Sequence, residues 1–228
     1  MLMPIVHGGQ SVVSALTLDI TSNTTNANIL TLATAAGYDA STDGTAIIVN
    51  VASGVTVSGS GTHALRTGAL NANSNLTINI SGSVDGFTGA NGGTNAAGGA
   101  GGDALFFETS TGGTGTYIVN VLSGGNLRGG GGGGGGAGSA GTRQQSLDPK
   151  QGCEGAYITG SAGSPGSAGG FGQDGSGGSA GSFGGGHPSC VIASPGGGGA
   201  GGAAGFALRK NGRTVTLNNS GTVAGSAA

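Results

Sequence analysis

From residue 160 the glycines keep a period of three: they stand at 160, 163, 166, 169, 172, 175, 178, 181 and 184 without a miss. The same register runs through Gly129, Gly132, Gly135, Gly138 and Gly141, starting inside eight consecutive glycines, and through Gly196, Gly199, Gly202 and Gly205. Gly86, Gly89 and Gly92 begin it, and Gly98 and Gly101 resume it in phase. A flexible chain has no reason to hold that register. Two structures require it, and both use an extended left-handed helix with three residues per turn and a rise of about 3.1 Å per residue. Collagen is the poorer fit, because it needs roughly 15–20% proline, whereas Pro165 is alone between 160 and 186 and the phase restarts between short runs. The other structure is a bundle of polyglycine II helices from one chain. Such a helix has no internal hydrogen bonds, so it must bond sideways. Wherever it faces a neighbour at close range a Cβ would block the approach. Ordering glycine is entropically costly, so many helices must pack together and something must anchor them.

The anchor is legible as short strands. The segments 15–20 (ALTLDI), 28–32 (NILTL), 45–57 (TAIIVNVASGVTV) and 76–80 (LTINI) alternate apolar and polar residues between Asn, Ser and Gly, the pattern of half-buried strands. No segment here shows a convincing helical period; Leu30–Gly37, short and alanine-rich, comes nearest, and strand is the preferred reading of 28–32. A repeat follows: IVNVASGVTVSG (48–59), TINISGSVDG (77–86), IVNVLSGGNLRG (118–129) and TLNNSGTVAG (216–225), with Asn50, Asn79, Asn120 and Asn218 in equivalent places. Strand, glycine turn, strand is a unit that cannot bury its own apolar face, so copies must stack. The Asn residues suit a stacked internal ladder or turn caps. The expected fold is all-β, with a short-stranded β-solenoid or sandwich-like part over 1–85. A glycine-rich polyglycine II region over 86–206 includes a β unit at 117–128, and a closing β unit spans 207–228.

Composition narrows the function classes. Of 228 residues 57 are glycine, 7 are basic and 9 acidic, and none is tryptophan, so a large side-chain core and an ordinary helical domain are not expected. No basic excess meets phosphates, so nucleic acid is not an expected partner. No run of 18 or more apolar residues exists, so membrane insertion is not expected, and the start (MLMPIVHGGQ) carries no secretory pattern. His7, His63 and His187 have no ligand partners at metal-binding spacing, and Cys153 and Cys190 form no CxxC pair. Matches to GxGxxG arise by chance within the glycine runs and lack a strand-to-helix context. The expectation is therefore no enzyme, no cofactor and no metal. The non-glycine breaks at 103–117, 142–157 and 187–195 read as turns, with strand as the alternative for the end of the first. Cys153 and Cys190 lie in the last two, either bridged as a staple or as two free thiols.

IVNVLSGGNLRGGGGGGGGAG (118–138), the triplet glycines of 160–184, SPGGGGAGGAAG (194–205) and RTVTLNNSGTVAG (213–225) resemble the glycine-rich adhesins at the distal tips of bacteriophage tails and tail fibres. The resemblance covers 86–228 well; 1–85 is similar only to β-rich phage structural protein in general. It implies a polyglycine II sandwich presenting variable loops to a host receptor, either an outer-membrane protein or a surface polysaccharide. It also implies other tail proteins as partners, a homotrimer or a single copy on a trimeric fibre, and a place on the distal tail of the virion after synthesis in the host cytoplasm. The contact loops would be 142–157 and 187–193, with Arg143, Gln145, Lys150, Glu154, Tyr157 and His187 as handles. Two other roles fit the composition: a capsid or baseplate decoration protein, and an ice-binding protein.

Overall fold

The computed structural model describes residues 15–41, 44–109, 113–145, 153, 155–186 and 188–228. They are nearly all β. Three parallel sheets form the sides of a coil that stacks strand on strand. The first sheet holds Leu16–Ile20, Ala46–Val51, Asn75–Ile80, Tyr117–Val121 and Val215–Asn219 in that order. The second holds Thr24–Thr25, Thr56–Ser58, Ser83–Asp85, Asn126–Arg128 and Thr222–Ala224. The third holds Ala27–Asn28, Leu65–Arg66, Leu105–Phe106 and Leu208–Arg209, and Ala227 bridges to Leu208 at its edge. Register is strict: Val49 lies opposite both Leu18 and Ile78, and Val119 opposite both Ile78 and Leu217. Alternation therefore puts one row of each strand inside. Ile47, Val49, Val51, Leu76, Ile78, Ile80, Val119, Val57, Val84, Leu127, Leu65, Leu105, Phe107 and Leu208 form one buried core. Each such side chain contributes about 1.5–3 kcal/mol by leaving water. At the corner after the long strand, Gly54 and Gly124 take φ of 76° and 83°, a left-handed turn that a side chain would strain.

Several expectations change. The described residues form five coils, not four repeats. The first was hidden because Asp19 stands where later coils carry Asn: it lies opposite Asn50 and accepts its amide at 2.8 Å. The Asn residues do form a ladder, but on the outer face of the first sheet: Asn50, Asn79 and Asn120 each sit between two inward-facing apolar residues, and Asn218 follows in register. The 103–117 segment is not all turn. Leu105–Phe106 is the third-sheet strand of its coil, and Phe107 is fully buried. Ile29–Ala35 is an α-helix where a strand over 28–32 was expected. Asn28 caps it, its side chain accepting from Leu30 N and Thr31 N, and Ile29 and Ala33 on one face are buried. Cap and packing together outweigh the shortness that argued against it.

The glycine runs are insertions at a single corner. Between the second and third sheets the third coil inserts 86–104 and the fourth inserts 129–207. Because Asp85 and Arg128 are register partners, the two excursions start side by side and continue in register: Gly86 N, Gly89 N, Gly92 N and Asn95 N donate to Arg128 O, Gly131 O, Gly134 O and Ala137 O. The step is three residues, not the two of a β-ladder. The same step joins Gly160, Gly163, Gly166, Gly169 and Gly172 to Gly141, Gly138, Gly135, Gly132 and Gly129 in the opposite direction. It also joins Gly132, Gly135, Gly138 and Gly141 to Gln173, Ser176, Ser179 and Ser182. Run 129–141 thus lies in the middle, bonded to 86–95, 96–104, 160–172, 173–184 and 196–207. This explains its eight consecutive glycines. A Cβ on Gly131 would strike Gly169 O, one on Gly132 would strike Gly202 O, and one on Gly133 would strike Ala90 O. All three phases of the middle run face main chain, whereas outer runs such as 160–172 need glycine chiefly in one phase.

Candidate functional site

At the far end of the runs, side chains replace glycine. Thr142–Gln144 continues the middle run, Tyr157–Thr159 leads into 160–172, and Val191–Ala193 leads into 196–207. The middle run travels outward and the other two return, so the three strands form an antiparallel sheet with Thr142–Gln144 in the centre. Thr142 lies opposite Thr159, Arg143 opposite Ile158 and Gln144 opposite Tyr157. On the other side Thr142 faces Ala193 but Arg143 faces Val191. Ile192 is therefore an extra residue on that strand, a β-bulge, a device that re-aims a side chain.

The central strand of this sheet is braced on the bundle end through Arg143. The Arg143 guanidinium lies 3.8 Å from the centroid of the Phe183 ring, with its Nε buried. The rest is open: Tyr157 is 67% exposed, Ile192 56% and Val191 43%. Tyr157 and Val191 flank the central strand about 10 Å apart, two strand spacings. Cys190 is buried beside them and is joined to Cys153, with the two Cα atoms 5.5 Å apart. The bridge ties the two excursions that interrupt the glycine runs.

Of the residues nominated from sequence, the structure puts Tyr157 on this surface and Gln145 exposed beside it, and turns Arg143 onto Phe183 as a brace. Lys150, Glu154 and His187 lie outside the described residues. Val191 and Ile192 were missed as individual contacts. A hydrophobic pair at a loop end suggests core, and only the bulge and the exposed edge turn it outward.

Other polar clusters sit where the bundle joins the coil. Arg128 makes two hydrogen bonds of 2.7 Å to Asp85 and lies over the Phe171 ring. Those bonds raise its pKa further. Buried Asp103 accepts from Phe206 N at 2.9 Å and from Arg209 Nε at 2.6 Å, and lies 3.2 Å from His63 Nδ1. His63 stacks on Phe106, with centroids 3.9 Å apart. Burial lowers the His63 pKa, opposed by Asp103 and Glu108 and reinforced by Arg209 and Arg66. Asp103 ties Phe206, at the end of a run, to Arg209 of the coil, and the Asp85–Arg128 pair joins the two strands from which the runs depart, so this is a joint. A cavity of about 400 Å³ lies at the first coil, lined by Asp19, Ile20, Thr24, Ala27, Thr31 and Leu32 among others. Among the described residues no group of His, Cys, Asp or Glu is placed to hold a metal ion, and no helix is long and apolar enough to cross a membrane.

A family model described as phage tail fibre adhesin Gp38 matches residues 15–228. Among solved structures the chain is similar to the crystal structure of the gp37-gp38 adhesin tip complex of the bacteriophage S16 long tail fiber. The identity is 19% and the TM-score 0.50, over 94% of this chain and 83% of that one. At that identity the likeness is one of fold. No curated protein matches in sequence.

Proposed function

The chain belongs to the phage tail fibre adhesin Gp38 family, and from that premise we propose that it is the receptor-binding tip of a tail fibre, acting by binding and not by catalysis. In this reading the glycine runs are polyglycine II helices, as their three-residue hydrogen-bond step suggests. Residues 1–85 serve assembly, 86–206 present the contact surface, and 207–228 close the coil. The carrying observation is the antiparallel sheet at the far end of the runs, with Tyr157, Val191 and Ile192 exposed on it. At a rise of about 3.1 Å, thirteen residues of the middle run hold this sheet roughly 40 Å from the coil. A backbone-bonded bundle is stiff, so the three-stranded sheet at its end pays little ordering entropy on contact. The coil is left free to join another tail protein; the fold relative is itself a complex of two tail proteins. The handles are Tyr157, Val191 and Ile192, together with Gln145, Lys150, Glu154 and His187 in the adjoining loops. Host adsorption is the test. Exchanging 145–156 and 188–193 for Gly-Ser segments of equal length is expected to abolish it, and Ile192→Asp to weaken it about thirtyfold or more, the loss typical of a central anchor. Adsorption unchanged by the double exchange removes the receptor-binding role.

A further inference from the structure

The outer side-chain ladder has a direction. Asn218 Nδ2 donates to Asn120 Oδ1, Asn120 to Asn79, Asn79 to Asn50 and Asn50 to Asp19, all at 2.8–2.9 Å. Every amide gives its proton toward the first coil and accepts from the side of the last. At the last coil Asn218 Oδ1 has no donor among the described residues. At the first coil the ladder ends in a carboxylate, which has no proton to pass on.

Both ends of the coil carry a strand edge. Leu16–Ile20 pairs with Ala46–Val51 on one side only, and Val215–Asn219 with Tyr117–Val121 on one side only, among the described residues. The two edges run in the same direction: Val215 and Leu217 hold the register of Leu16 and Leu18, Asn219 holds that of Ile20, and Leu16, Val215, Leu217 and Val223 are only partly buried. The last coil of one molecule is thus shaped to receive the first coil of another at the ordinary strand spacing. Such a contact is head-to-tail and does not close, so it would grow into a filament.

We propose that Asp19 is the stop that prevents this. In a head-to-tail stack its carboxylate would meet Asn218 Oδ1, acceptor against acceptor. On that side its charge would lose water with no donor to replace it. An amide at position 19 would instead donate to Asn218 Oδ1 and carry the ladder across the junction. A strand of another protein can still join the first coil, provided it brings its own hydrogen-bond donor to the carboxylate. The inference holds whatever the far sheet contacts.

The test compares the whole chain with Asp19→Asn and Asp19→Glu. Asparagine still accepts from Asn50, so the fold is kept, and a thermal melt matching that of the parent chain checks this. Light scattering behind size exclusion reads the mass over a concentration series. For Asp19→Asn the average mass is expected to climb with concentration to at least double, with elongated particles in negative stain. The parent chain and Asp19→Glu are expected to hold a constant mass. An Asp19→Asn protein with the same constant mass as the parent overturns the proposal, as does growth of the parent or of Asp19→Glu.

Discussion

Gly132→Ala and Gly197→Ala are the same chemical change on the same bundle, and the structure gives them opposite signs. The Cβ at 132 would meet Gly202 O, which belongs to a main chain that cannot swing aside. The runs must separate there. The bonds at risk are Gly132 N to Gln173 O at 3.0 Å, Gly169 N to Gly132 O at 2.9 Å and Gly202 N to Gly133 O at 2.7 Å. Overpacking alone costs about 1–3 kcal/mol, and each weakened bond adds up to about 1 kcal/mol, so a loss of about 3–5 kcal/mol is expected. A Cβ at 197 has nothing within 4 Å, and the backbone there is not left-handed. That exchange only narrows the unfolded ensemble, a gain of about 0.4–1 kcal/mol. For a chain of this size about 2–4 °C of melting temperature follows each kcal/mol. Gly132→Ala should therefore melt roughly 6–20 °C below the parent, and Gly197→Ala at or slightly above it, both read by circular dichroism. Equal melting of the two variants would refute the claim that backbone contact dictates the glycines.

Two further tests follow from the joint and the tip. Burial holds the His63 pKa below its ordinary 6.5, so the unfolded chain binds the proton more readily. Its stabilising contribution is complete above pH 6.5 and is lost as pH falls from there through the folded value. His63→Gln should remove that slope from melting temperature against pH, whereas an unchanged slope would clear His63 of the effect. The Cys153–Cys190 bridge spans 37 residues, and constraining the unfolded chain over such a loop is worth about 2–4 kcal/mol. The double exchange to serine should lower the denaturant midpoint accordingly, and reductant should do the same to the parent; no change in either would contradict this.

What the sequence disclosed and what it hid divide along physical lines. The triplet register was visible because main-chain approach admits one residue type, so geometry is written directly into composition. The Asn ladder was visible because Asn50, Asn79, Asn120 and Asn218 repeat. Its outward direction was not, since that depends on which row of the strands the core takes. The first coil escaped because Asp19 breaks the repeat at the position where the ladder ends. The helix at 29–35 rests on one capping side chain and two buried contacts, too little for periodicity to register. The tip sheet was the least legible. Its pairing is inherited from the packing of runs 129–141, 160–172 and 196–207, and the bulge at Ile192 appears only once those runs are aligned. Arg143 read as a solvent-facing handle because nothing local announces Phe183 beneath it.

Amide hydrogen exchange across 160–172 probes the central idea at residue resolution. Gly163, Gly166 and Gly169 donate to the middle run, and Ser164 and Ser167 donate to serine hydroxyls. Strong protection is expected at the three glycines, and rapid exchange at Ala162 and Ala168, which immediately precede Gly163 and Gly169. Protection alternating every second residue, or uniformly rapid exchange through the segment, would contradict it.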